Sequence, residues 1–428
     1  MSAVTSRREV EVCLGQAGLK LGTLVYTRHG QRQNSAFAYD QGWLHDPERF
    51  NVSADLDLRP DYQYRRARSP HDSVFHGAIA DTAPDAWGRR VIARDHAKRR
   101  REDPRLSALT EMDYLLAVDD FSRVGALRLR DDENHYHRTV GEGRRSTPPL
   151  IELERIYHAS RAVERGLETA DDLRYLRGKG TSLGGMRPKC TILDEDGTLA
   201  IGKFPSVLDT RSVTRGEVLA LKLAHRAGID AAPARIVQLD DIPIAVITRF
   251  DRDAEHARIP YQSAASVLQA SREEDRSYTE IALALRSIGY TPIPDIQQLW
   301  RRLLFNLLIT NVDDHLQNLG FLHMTHGQWR LAPAFDVNPF PDKDRESKTW
   351  LSEDDGPITD IGMLLARSGD FALNQQQALA TLAQVHAAVS DWRALARSET
   401  VGLRAGELDD FAPAFEHEQM DAAADALR

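Results

Sequence analysis

The sequence predicts an α+β fold, and three observations predict it. Short alternating apolar stretches near the start, LGTLVYT and SAFAYDQGWL, read as strands of a small sheet. Residues 150–252 mix a helix with strands arranged around a second helix. Residues 253–428 carry mainly helical patterns. With 428 residues, a prior of roughly 150 residues per domain gives two or three domains. The expected segments are 1–135, 136–252 and 253–428.

Each segment has its own punctuation. In the first, FHGAIADTAPDAWGRRVIARDHAKRR reads as a helix interrupted near Pro84, and Leu106 to Val118 as another. Asp131 to Pro149 is polar, ends in Pro-Pro, and reads as a linker or surface hairpin. No internal repeat or low-complexity tract is visible.

Composition narrows the class. The chain is 42% hydrophobic and 28% charged, an ordinary globular balance. No window has the run of about 18 apolar residues that a membrane span needs, and the start, MSAVTSRREVEVCLG, lacks a signal-peptide pattern. Cys13 and Cys190 are the two cysteines, too few for a disulfide framework or a CxxC zinc site. The expectation is a cytoplasmic protein with no membrane partner. A net charge of −9 argues against a strongly basic nucleic-acid binder. The densest basic run, Lys98 to Arg101, fits a solvated helix end better than a phosphate contact.

The middle segment carries the first chemistry. RGKGTSLGGMRPKC, Arg177 to Cys190, is rich in glycine, which lets backbone N–H groups approach a phosphate. KCTILDEDGTLAIGKFPS continues it as a strand, an Asp-Gly turn and a second strand holding Lys203. Thr214 to Ala227 reads as a helix with Gly228 as its stop and Glu217 in its first turn. A strand lysine followed by a helix glutamate is the pair that kinases use on ATP phosphates. A surface lysine and a glutamate favoured by the helix dipole fit the same residues. Two strands follow, ARIVQL and PIAVITRF, the second carrying Thr248 and Phe250 into Asp251. In a kinase this is where backbone groups meet the adenine; a plain hairpin explains the same residues.

The strongest constellation comes next. An apolar helix, Leu299 to Ile309, runs into NVDDHLQN, and a hairpin then leads to LAPAFDVNP. Asp313 and Asn318 have the Asp-to-Asn interval of a kinase catalytic loop, and Asp336 stands where a second magnesium-binding aspartate belongs. Phosphoryl transfer needs one carboxylate to orient a hydroxyl and take its proton, and hard oxygen ligands for Mg2+. Asp313 supplies the first, Asn318 and Asp336 the second. Asp314 and His315 read as structural neighbours. Three turn-forming residues would be the bland account, weakened by Lys203 and Glu217 upstream.

On these residues the chain resembles the HipA family of bacterial serine/threonine protein kinases, the toxin halves of HipA–HipB toxin–antitoxin systems. FHGAIADTAPDAWGRR resembles its N-terminal signature, TSLGGMRPK its glycine-rich loop, with Gly184 and Gly185, and AIGKFPS its ATP-lysine strand. ITRFDR resembles its interlobe strand, and NVDDHLQN with LAPAFDVNP its catalytic and metal-binding motifs. The resemblance implies a two-lobed protein-kinase-like fold, with a mixed N-lobe, a helical C-lobe and an added N-terminal domain. It implies Asp313 as catalytic aspartate, Asn318 and Asp336 on Mg2+, and Lys203 on ATP. It implies Ser182 as a loop autophosphorylation site that switches the kinase off. It implies a protein substrate such as an aminoacyl-tRNA synthetase, and a HipB-like helix-turn-helix antitoxin that links the chain to DNA.

Rival readings have less support. Gly180-Thr181-Ser182-Leu183-Gly184 matches the G-x-S-x-G elbow of serine hydrolases, yet a strand-like segment follows where that motif needs a helix. Gly178-Lys179 lacks the remainder of a Walker A loop. His323 and His326 flank a turn and make a weak zinc pair. A catalytically weak corepressor is the non-enzyme alternative, but all the polar residues that a kinase needs are present.

Overall fold

The computed structural model describes residues 5–69, 72–138, 152–178, 187–271 and 273–428. The chain divides into two compact units. The first holds Met1–Val207, Asp251–Arg272 and Thr325–Gly327; the second holds Leu208–Phe250, Glu273–Met324 and Gln328–Arg428.

The first unit begins with a five-stranded antiparallel sheet. Its order is Gln63–Arg66, Arg32–Tyr39, Leu19–His29, Thr5–Leu14, Leu127–Arg130. The register sets Val10 opposite Leu24 and Leu24 opposite Phe37, and all three are buried, so one face of the pleat is apolar. A register shift between Val12 and Cys13 lets both consecutive side chains point inward. The strand expected to run through SAFAYDQGWL stops at Tyr39, because the Asp40 carboxylate accepts from Gly42 N (2.9 Å) and caps a short helix, Gln41–His45.

The interruption expected at Pro84 is present. A short helix, Gly77–Ala80, precedes the longer Ala86–Glu102. Asp85 caps the latter through Gly88 N at 2.6 Å, and Trp87, Val91 and Ile92 are buried along it. The PDAWGRR signature is therefore a helix start with an aromatic anchor. At its other end Arg100 and Arg101 are exposed, while Lys98 donates to the Glu168 carbonyl. The helix expected from Leu106 forms only over Glu111–Ala117, where a Thr110–Asp113 capping box starts it.

The same unit buries a dense ionic network. The Arg123 side chain is fully buried and donates to the carbonyls of Thr82, Leu115 and Val118. Asp120 receives Arg128 at 2.7 Å and Arg258 at 3.4 Å. Asp251 accepts from Gly125 N and Arg252, at 2.7 and 2.8 Å. Gly125 has φ +69, a left-handed turn that suits glycine. After two helices, Leu153–Arg165 and Ala170–Gly178, an antiparallel hairpin joins Lys189–Leu193 to Leu199–Lys203.

In the second unit the helix Val213–Arg226 ends as its Gly228 signal predicts, with φ +73 at that glycine. The hairpin Ala234–Leu239/Ile242–Thr248 turns at Asp240, φ +47. The helix Pro292–Leu308 is the organising element. It starts with Pro at N1 and buries Ile296, Leu299, Trp300, Leu304 and Leu308. It begins seven residues earlier than the apolar run alone suggests, and Asp295 and Arg302 are also buried on it. Asp295 accepts from Leu331 N at 3.2 Å, and Arg302 donates to the Ala332 carbonyl at 2.8 Å. Burial lowers the Arg302 guanidinium to about 10. Further helices, among them Gln375–Ser390 and Ala405–Phe415, complete the unit.

Candidate active site

The candidate catalytic loop follows directly from the helix Pro292–Leu308. Thr310 adopts φ +53, a conformation that a β-branched residue takes only when its surroundings hold it there. They do: its hydroxyl donates to the Ala414 carbonyl at 3.1 Å, and its own carbonyl accepts from Phe340 N at 3.1 Å. The chain then turns away from the helix into Asp313. Asn318, in a single 3₁₀ turn Leu316–Asn318, folds back so that its Nδ2 donates to the Asp313 carbonyl at 2.8 Å. The five-residue interval is thus closed by a hydrogen bond that fixes the loop.

Asp336 reaches the same place by another route. The segment before it is pinned by Ala232 N to the Ala334 carbonyl and Ala334 N to the Asp230 carbonyl, both 2.8 Å. Asp336 itself has φ +54 and accepts from Asn338 Nδ2 at 3.4 Å. Asp314, His315, Asn318 and Asp336 line one cavity of about 40 Å³. Beside it the rings of Phe335 and Phe250 lie 5.3 Å apart, so Phe250 packs on the residue that precedes Asp336. Thr248 ends its strand, its N–H donating to the Pro233 carbonyl at 2.8 Å.

The two adjacent carboxylates have opposite surroundings. Asp313 has a side-chain exposure of 39% and accepts from Lys348 Nζ. Asp314 is buried and accepts from Tyr278 OH and Lys348 N, both 2.7 Å. Its carbonyl accepts from Thr349 Oγ1, also 2.7 Å. Burial raises the Asp314 carboxyl to about 6. Burial, with the Asp314 charge beside it, drives the Tyr278 phenol well above its ordinary range. His315 Nε2 lies 3.9 Å from Asp313, while its buried Nδ1 has no hydrogen-bond partner among the described residues. Burial holds this imidazole below its usual value and favours the neutral ring.

These residues fit Mg2+. With its Nδ2 committed to Asp313, Asn318 has its amide oxygen left as the acceptor, and Asp336 supplies a carboxylate. Both are hard donors, and Mg2+ characteristically takes one or two protein ligands and completes its shell with phosphates and water. Among the described residues no group of three or more His, Cys, Asp or Glu could hold a metal ion by itself.

The remaining expected residues lie elsewhere. Lys203 is buried at the end of its strand in the first unit. It is opposite Lys189 in register, and Lys189 Nζ lies 3.5 Å from Asp85. Glu217 is in the second unit, in the second turn of its helix rather than the first, because the helix starts at Val213. It is 3% exposed, which a glutamate serving only the helix dipole would not be. Ser182, Gly184 and Gly185 lie outside the described residues. Lys348 and Tyr278 were not singled out by sequence. Lys348 sits in a polar stretch, DKDRESK, with no spacing to mark it.

Fold and site together define an α+β, kinase-like protein. Residues 11–137 match the HipA N-terminal domain, and residues 181–392 match the HipA-like C-terminal domain. The chain belongs to the HipA family. It is 26% identical to a Sinorhizobium fredii protein named "Putative kinase Y4mE", over 75% of each chain. It is 24% identical to a Haemophilus influenzae protein named "Putative kinase", over 38% of this chain and 55% of that one. In fold it is similar to a structure of the Shewanella oneidensis HipA–HipB toxin–antitoxin system with its operator DNA. That likeness has a TM-score of 0.65 at 16% identity and covers 97% of this chain and 96% of that one. Among the described residues no helix is long and apolar enough to cross a membrane.

Proposed function

We propose that this protein is an ATP- and Mg2+-dependent serine/threonine protein kinase of the HipA type. The observation that carries the reading is that Asn318 and Asp336 line one cavity, while the Asn318 amide donates to the carbonyl of Asp313, whose carboxylate is partly exposed. Asp313 orients the substrate hydroxyl and takes its proton. Asn318 and Asp336 would hold Mg2+, which when bound neutralises charge on the phosphates. Lys203 and the glycine-rich loop with Gly184 and Gly185 bind the phosphates, and backbone groups from Thr248 to Phe250 receive the adenine. Autophosphorylation at Ser182 switches the enzyme off. The substrate is a translation component such as an aminoacyl-tRNA synthetase, and a HipB-like antitoxin carries the chain to DNA. Family membership and the names of the relatives support the reading.

The test is transfer from radiolabelled ATP with Mg2+ in a cell lysate, with mass spectrometry of the labelled band. Asp313→Ala should lower transfer by about 10²–10⁴-fold, the range for losing a positioned base. Its melting temperature and ADP affinity should stay near wild type. Transfer at the wild-type level by this variant would sink the assignment.

A further inference from the structure

We propose that Lys348 is a catalytic residue that binds the transferring γ-phosphoryl group. The inference rests on the reading of Asp313 as the base, and adds a group that the kinase motifs do not contain. Lys348 follows Asp313 by 35 residues in sequence, yet its backbone is fastened to the catalytic loop. Its N–H donates to Asp314 Oδ1, and Thr349 Oγ1 to the Asp314 carbonyl, both 2.7 Å. Ser347 Oγ donates to the Thr349 carbonyl (2.6 Å) and accepts from Ile358 N (2.7 Å). Trp350 N donates to the Arg276 carbonyl at 2.9 Å. Both sides of Lys348 are thereby fixed, and Thr349 is 3% exposed.

The side chain is the opposite. It is 55% exposed and reaches Asp313 Oδ1 with its ammonium. An anchored backbone with an exposed cation at the base is more than a surface pair needs, since such pairs contribute about 0–1 kcal/mol. It is what phosphate binding by a point charge needs.

Geometry specifies the target. A hydroxyl on Asp313 lies about 3 Å from the carboxylate. The γ-phosphorus lies about 3–3.5 Å beyond that hydroxyl in a reactive complex. A cation resting on Asp313 is within one lysine rotamer change of the equatorial phosphoryl oxygens. In transfer, the hydroxyl oxygen forms the new bond to the γ-phosphorus, and its proton goes to Asp313. The bond from phosphorus to the β–γ bridging oxygen breaks, and ADP leaves with that electron pair. Lys348 keeps its protons throughout and balances charge on the equatorial oxygens, the kind of fixed electrostatic support on which phosphoryl transfer depends. With no nucleotide bound, Asp313 is its counter-ion.

The test uses the full-length protein with Mg2+ and two nucleotides that differ in the γ-phosphate: ADP and the non-hydrolysable ATP analogue AMP-PNP. Calorimetry gives the ratio of the two dissociation constants for wild type, Lys348→Ala, Lys348→Arg and Asp313→Ala, each checked for an unchanged melting temperature. Lys348→Ala should lose about tenfold in AMP-PNP affinity with ADP affinity unchanged, and Lys348→Arg should keep most of the difference. Asp313→Ala should retain or strengthen AMP-PNP binding, because Lys348 is released from its counter-ion. If wild type binds both nucleotides and Lys348→Ala leaves their ratio unchanged, Lys348 does not touch the γ-phosphoryl and the proposal falls while the kinase reading stands. If wild type binds neither nucleotide, the kinase reading falls and takes the proposal with it.

Discussion

Two loop regions of this protein are rich in charge, and they use it in opposite ways. In the first unit, residues 119–128 and 251–258 carry Asp120, Arg123, Arg128, Asp251, Arg252 and Arg258, and the charged groups of Asp120, Arg123, Arg128 and Arg258 are buried and hydrogen-bonded. In the second, residues 311–318 hold Asp313 with a side-chain exposure of 39%, against 5% for Asp120 in the first. The first arrangement has its charges answered from within the chain. The second keeps its charge where solvent can reach it, with the exposed Lys348 ammonium on the Asp313 carboxylate. Charge density alone does not mark a site; what differs is whether the fold has buried the charge.

The largest expected effect tests the first region. Asp120→Ala leaves Arg128 and Arg258 buried without their carboxylate. Stranding buried cations this way costs about 3–5 kcal/mol. The melting temperature should fall by several degrees, with activity surviving at temperatures where the variant is still folded. A melt within a degree of wild type would mean that the network does not hold the unit together. Asp313→Ala is the mirror experiment, with a large loss of transfer and almost no change in the melt, because its exposed partner loses at most about 1 kcal/mol.

The two regions also differ in how far sequence reveals them. Asp313, Asn318 and Asp336 are legible because the chemistry is local: a loop of eight residues, a hairpin, then one aspartate. The Asp120–Arg258 pair spans 138 residues, and no local pattern announces it. Lys348 is hidden for the same reason, since only the fold brings it to Asp313. Among the elements, the helix Val213–Arg226 and its glycine stop were legible from periodicity. The five-residue helix after Tyr39 was not, being too short to show a period; its Asp40 cap was the available signal.

Two carboxyls raised alike by burial separate structure from function. Asp81 in the first unit accepts from Ser263 N and Oγ, both 2.8 Å, and Asp314 in the second from Tyr278 and Lys348. Burial raises each to about 6. In the unfolded chain both ionise near 4. A carboxyl raised by folding favours the native state while protonated, so its contribution is full below pH ~4 and is lost as pH rises through ~6. Each should therefore lower stability across that window, on the order of 2–3 kcal/mol at 1.4 kcal/mol per unit. Asp81→Asn and Asp314→Asn mimic the protonated forms, and each should flatten its own share of the decline measured by denaturant unfolding between pH 4 and 7. Their effects on phosphate transfer should diverge when truncation replaces mimicry. Asp314→Ala frees the backbone of Lys348 and should lower transfer about tenfold, whereas Asp314→Asn keeps an oxygen for Lys348 N–H and should not. Asp81→Ala, with no link to Lys348 or Asp313, should change stability alone. Equal losses of transfer from the two alanine variants at matched folded fraction would show that Asp314 acts only as a structural group, and would break the distinction drawn between the two regions.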